Sequence, residues 1–242
     1  MEKRYSMPTP AKLLAGGIAV GVASYAAYIA ATWAQYGKPR MSRRPDSLLE
    51  AFIPDFEVGL QHEIGVEASA ERTFEAACRA RMGDSAIVDA LFKMRELIVG
   101  HPTTEMPRRD TLRDQMTAIG WKVLADVPGR EVIFGTVTQP WKSDAVFRAV
   151  PAEQFAAFDE PGYVKIVWTL RADPVDATSC IALTETRVAT TDAEARRRFR
   201  WYWSCLSPGM MIIRHVMLRQ IKRAAEQPGV PQAHAEPLAT LP

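Results

Sequence analysis

The sequence predicts an α+β fold: a curved antiparallel sheet around one long C-terminal helix, preceded by a single N-terminal transmembrane helix. Three observations lead to that expectation. Residues Leu13–Gly37 carry no charged side chain and lie between Lys12 and Lys38. Segments of alternating polarity run from Trp121 to Ala189, punctuated by turn residues. The last long segment, Ala193–Arg223, repeats apolar residues every three or four positions. The chain then divides into 1–36 (tail and transmembrane helix), 37–54 (linker), 55–226 (globular domain) and 227–242 (disordered tail).

Leu13–Trp33 alone spans 21 residues. At ~1.5 Å per residue this is about 30 Å of helix, enough to cross a hydrocarbon core. A cleaved signal peptide would be shorter and end on small residues, whereas Trp33 interrupts that pattern and Lys38, Arg40, Arg43 and Arg44 follow. Tyr25 and Tyr28 fall inside the span, and Trp33 and Tyr36 sit near its end, where amphipathic rings favour the interface. Gly17 and Gly21 form a GxxxG pair that Ala27 and Ala31 continue. Such a face suits a homodimer or docking onto other membrane subunits, although small residues are common in ordinary spans too. The basic flanks (Lys3, Arg4 and Lys12 against Lys38, Arg40, Arg43 and Arg44) tip a single-pass chain toward a cytoplasmic main domain. Cys78, Cys180 and Cys205 show no CxxC spacing, which fits buried thiols in a reducing compartment.

Residues Gly37–Pro54 read as a proline-punctuated linker with a short helix at Ser47–Phe52. His62–Ala68 alternates like a strand, and Ser69 caps a helix over Arg72–Arg81. A second helix starts at Asp84 or Ser85, with Ile87, Leu91, Phe92 and Leu97 on its apolar face, and stops at Gly100-His101-Pro102. Trp121–Val127 and Glu131–Val137 flank Pro128-Gly129 as a hairpin. Val146–Val150 reads as a short strand and Pro151–Phe158 as a helical turn. Tyr163–Ala172 and Cys180–Ala189 pair across the turn Asp173–Ser179. In the final helix Phe199, Trp203, Leu206, Met210, Ile213, Met217 and Ile221 form one stripe, and Pro208-Gly209 should kink or split it.

The segments Gly120–Val137 (GWKVLADVPGREVIFGTV), Phe158–Trp168 (FDEPGYVKIVW), Leu183–Trp203 (LTETRVATTDAEARRRFRWYW) and Ile212–Glu226 (IIRHVMLRQIKRAAE) resemble START-related, SRPBCC-type helix-grip proteins, in particular uncharacterised bacterial members. The resemblance covers Phe56–Glu226. It implies a cavity between sheet and helix, and a superfamily that includes lipid carriers, hormone receptors, polyketide cyclases and dehydratases.

Chemistry-bearing patterns are few. A net charge of +2 gives no field for nucleic acid. His62, His101, His215 and His234 are isolated, with no HExxH, and no GxxxxGK[ST], GxGxxG or GxSxG occurs, so no metal or cofactor is expected. The run Arg196–Trp203 mixes arginine with aromatics, as a solvated helix start or a contact with anionic headgroups. Glu185 and His215 are the weak candidates for acid–base work. Alternation places Glu185 and Arg187 opposite Thr184 and Thr186, facing either the cavity or solvent. Phe134, Trp141, Trp168, Thr184, Phe199, Trp203, Leu206 and Met210 are the expected cavity lining. The expected function is a membrane-anchored binder of a lipid-like or other hydrophobic small molecule. The alternatives are a non-catalytic accessory subunit docked through its span, and a cyclase- or dehydratase-type enzyme.

Overall fold

The computed structural model describes residues 10–39, 42–80 and 111–227, with side chains in the first helix at Gly17 and from Ala19 onward. In chain order the elements are α1 (Pro10–Gln35), α2 (Ser47–Phe52), β1 (Val58–Val66), α3 (Ala70–Cys78), α4 (Leu112–Ala118), β2 (Lys122–Val127), β3 (Glu131–Thr138), α5 (Ala152–Phe155), β4 (Val164–Pro174), β5 (Cys180–Thr190) and α6 (Ala193–Glu226). The expected helix from Asp84 to Leu97, His101, His234 and the expected tail from Pro228 fall outside the described residues.

The five strands form one antiparallel sheet in the order β1-β5-β4-β3-β2. The tight connection at Pro128-Gly129 is set by Gly129, whose φ of 73° an L side chain rarely adopts. Pleating then sorts the side chains. One register row runs Phe134, Trp168, Thr186, Leu60, and the next on the same face runs Val132, Leu170, Thr184, His62. This face meets α6: Phe134, Trp168 and Leu170 share a cluster with Met217, Leu218 and Ile221. The α+β, helix-gripping arrangement expected from the sequence is therefore present.

Several elements differ from the expectation. Pro208 neither ends nor splits α6, which runs unbroken for 34 residues. Val146–Val150 is no strand: Val146 is exposed, and only Arg148 bridges back to Val137. The helix α4, capped by Thr111 at the Asp114 N–H, carried too short a pattern to be foreseen. Residues 42–56, which include most of the segment 37–54 expected as linker, pack on the opposite, outer face of the sheet. There Leu49 and Ile53 are buried with Leu124, Ile133, Val167 and Phe155. Gly135 leaves room on that face for Leu124 and Phe155, since a Cβ there would lie 2.3 Å from the Leu124 side chain and 2.9 Å from Phe155.

Among the described residues α1 docks on α6 through its C-terminal half. The Tyr25 hydroxyl donates to the Cys205 carbonyl, Tyr28 and Ser207 hydroxyls lie 2.9 Å apart, and Trp33 meets Trp201 edge-on. Gly17 and Gly21 share a helical face with Tyr28, yet no atom lies within 4 Å of where their Cβ atoms would be. Ala27 and Ala31 are exposed. Among the described residues no helix is long and apolar enough to cross a membrane.

Candidate functional site

The inner face of the sheet is packed against both ends of α6 and less completely along the middle of the helix. Toward the helix C-terminus a space of about 10 Å³ lies between Phe74, Ala77, Leu170, Ala172, Leu218 and Ile221. This is room for one water at most, in an apolar setting that stays dry. Around the middle of the helix, burial is less complete. Ile166, on a central strand, is half-buried although its row neighbours Thr136 and Val188 are buried. Leu206 and Met210 are half-buried and join none of the three buried clusters.

Between these two regions lies a polar niche. Trp168, stacked on Phe134 at 5.6 Å and edge-on to Trp121 at 6.4 Å, donates its indole N–H to the Thr184 hydroxyl at 2.6 Å. Arg214 projects from α6 over the same ring, its guanidinium carbon 4.3 Å from the Trp168 centroid, and donates to the Thr186 hydroxyl at 2.8 Å. Arg214 is only 4% exposed and its Nε has no partner. Burial pushes its guanidinium down to about 9. Beside it, His62 from edge strand β1 also keeps a buried, unpartnered Nδ1. Burial first, then the neighbouring His215 and Arg214, holds His62 down to about 4, so it is neutral near pH 7. Its ring packs edge-on against exposed His215 at 4.5 Å.

The expected lining residues are thus dispersed. Phe134, Trp168 and Thr184 lie on the inner face of the sheet at the niche, and Leu206 and Met210 are half-buried near the middle of α6. Phe199 is buried with Val58, Val164 and Val188, with Trp141 and Trp203 packed against that cluster. The acid–base candidates are not brought together. Glu185 lies on the opposite face, bonded to Arg187 at 2.7 Å and to Ser42 and Gln61, while His215 sits by β1 on the inner side. Arg214 escaped the sequence reading, yet a signal was there: it sits four residues after Met210 and three before Met217, on the apolar stripe itself.

The outer face holds the second buried polar group. Arg171 pairs with Asp46 at 3.2 Å and Asp173 at 3.0 Å, and Thr169 donates to Glu131 at 2.7 Å. With Glu185 and Arg187, which donates to the Ile53 carbonyl and stacks over Phe56, these contacts strap residues 42–56 to the sheet. Burial, reinforced by its bond to Asp46, raises the Glu131 carboxyl to about 8. Burial also pushes the Asp46 carboxyl up, but bonds from Glu131 and the Leu49 N–H, with Arg171 nearby, bring it below its ordinary value. Glu131 therefore stays protonated in the fold where the unfolded chain is ionised. Its contribution to stability is complete below the ordinary carboxylate range and lost as pH rises through about 8. Thermal denaturation of Glu131→Gln, which keeps a donor that cannot ionise, is expected to show a shallower loss of stability over that window; an unchanged pH slope would contradict this.

No family model matches the chain and no curated protein matches it. Solved structures do. A conserved protein from Geobacillus kaustophilus is 12% identical, covering 69% of this chain and 93% of that one at a TM-score of 0.31. A hypothetical protein from Helicobacter pylori is 8% identical, covering 77% and 96% at 0.37. An aromatase/cyclase from Streptomyces sp. R1128 is 12% identical, covering 71% and 98% at 0.27. At these scores and identities the likeness carries nothing about ligand or reaction.

Proposed function

We propose that the protein is a membrane-anchored module that holds an apolar small molecule between its sheet and α6. The observation behind this reading is the uneven burial of the inner face. A central strand position, Ile166, and two stripe residues, Leu206 and Met210, stay half-exposed beside a fully packed core. Apolar surface left open in a concave site is what an apolar ligand covers. The test is native mass spectrometry of the full chain purified in mild detergent. The expected result is a retained small apolar molecule at one per chain; bare protein that also fails to take up added octanol would count against the proposal. Reproducible co-purification of other membrane proteins would favour the accessory-subunit reading instead. The enzyme reading has lost the Glu185–His215 pair on which it depended.

The anchor belongs to the same proposal. α1 continues for 26 residues, and from Gly21 to Ala27 every side chain is exposed with no charged residue among them. An exposed, uncharged helical run of this kind suits lipid or another helix as its surroundings. Arg200 donates to the Trp33 carbonyl and stacks over its ring at 4.2 Å beside exposed Trp201, an arginine–tryptophan cluster suited to the interface on the side of the main domain. We place that domain in the cytoplasm, on the basic flank of the span. Alkaline carbonate washing should leave the full chain with membranes and release a chain lacking residues 1–36; release of the full chain would contradict the anchor.

A further inference from the structure

We infer that the ligand bears a carboxylate and that Arg214, with His62 beside it, is the site that recognises it. The inference rests on the apolar-ligand reading and specifies the ligand's polar end. A guanidinium at 4% exposure is a costly thing to leave without a counter-charge. Among the described residues no ion pair compensates it: Arg214 meets no carboxylate there, and its contacts are one bond to the Thr186 hydroxyl and the stack on Trp168. Nε remains without an acceptor. A partner could have been supplied internally, as it is for Arg171 on the opposite face, whose charge is met by Asp46 and Asp173. The inner niche withholds that partner.

The position is as informative as the missing partner. Arg214 lies one helical turn beyond Met210, between the half-exposed apolar stretch and the sealed core. A molecule covering Ile166, Leu206 and Met210 would therefore have its inner end near the guanidinium. His62, two positions along β1 from the Leu60 that pairs with Thr186, offers a second unpartnered buried polar atom on the same side.

The charge count selects the class of anion. One guanidinium beside a neutral imidazole matches a single negative charge, and the planar guanidinium fork suits a planar carboxylate. A phosphate dianion would leave a net negative charge buried, and a cationic headgroup would meet like charge. The ligand class is thus a carboxylic acid with an apolar body, of the fatty-acid or aryl-carboxylate kind.

Octanoate and octanol distinguish the inference from the reading beneath it. Calorimetric titration of the full chain in dilute detergent is expected to show both binding, with octanoate tighter by about tenfold or more, the usual gain from a charge-assisted bond. In Arg214→Met, of similar volume, that ratio should collapse toward one. In Arg214→Lys, which keeps the charge without the fork, it should fall part of the way. Equal binding of the two probes by the wild type overturns the carboxylate inference and leaves the apolar-ligand reading standing. A ratio unchanged in Arg214→Met overturns the assignment to Arg214, and Arg214→Lys supplies the same comparison if the Met variant does not fold. Binding of neither probe overturns both.

Discussion

Replacing Arg171 by Met is expected to destabilise the domain by about 3–5 kcal/mol, the usual cost of removing one member of a buried ion group. The side chain is 4% exposed and spans Asp46 and Asp173, so its loss leaves buried Asp46 without a cation beside Glu131 and leaves Asp173 with only Arg130, at 3.8 Å. The effect should be larger above pH 7 than below it, because acid protonates the stranded carboxylates. Urea denaturation followed by far-UV circular dichroism measures it. Adding Asp173→Asn to Arg171→Met should recover part of the loss. If the double variant is less stable than Arg171→Met alone, the charges are not the cause.

The second large effect is expected at Trp168. Truncation to Ala removes the largest fully buried side chain, and such changes cost about 3–5 kcal/mol. It also strips Arg214 of the ring beneath it and Thr184 of its donor, so the cost should fall at the upper end of that range. Trp168→Phe keeps most of the packing and loses the indole N–H. Its expected cost is smaller, about 1–3 kcal/mol. Equal losses for both variants by thermal and chemical denaturation would mean that ring volume contributes little at this position.

The sheet and the long helix were legible because their patterns are long. Val164, Ile166, Trp168 and Leu170 alternate over a full strand, and Phe199 to Ile221 keep helical spacing over many turns. What failed was reading where a face points. Glu185 shares its face with Leu183, which is as compatible with a buried outer layer as with an inner cavity. The layer formed by residues 42–56 settles the matter, and a polar, proline-rich segment gave little sign that it would pack. Asp46 explains why it does: it caps α2 at the Leu48 and Leu49 N–H groups while pairing with Arg171 across the layer. Pro208 misled for the opposite reason. A helix held by the sheet on one side and α1 on the other can absorb a missing N–H that would break an isolated one.

The apolar-ligand proposal meets its most direct test at two methionine methyl groups. With methyl-labelled methionine in the full chain, octanol is added and the Met210 and Met217 resonances are followed by NMR. Met210 lies in the half-exposed stretch and Met217, 3% exposed, in the sealed core. A saturable shift of Met210, much larger than that of Met217, is the predicted result. A Met210 resonance that stays fixed, or drifts without saturating as exposed methionines do, would contradict it.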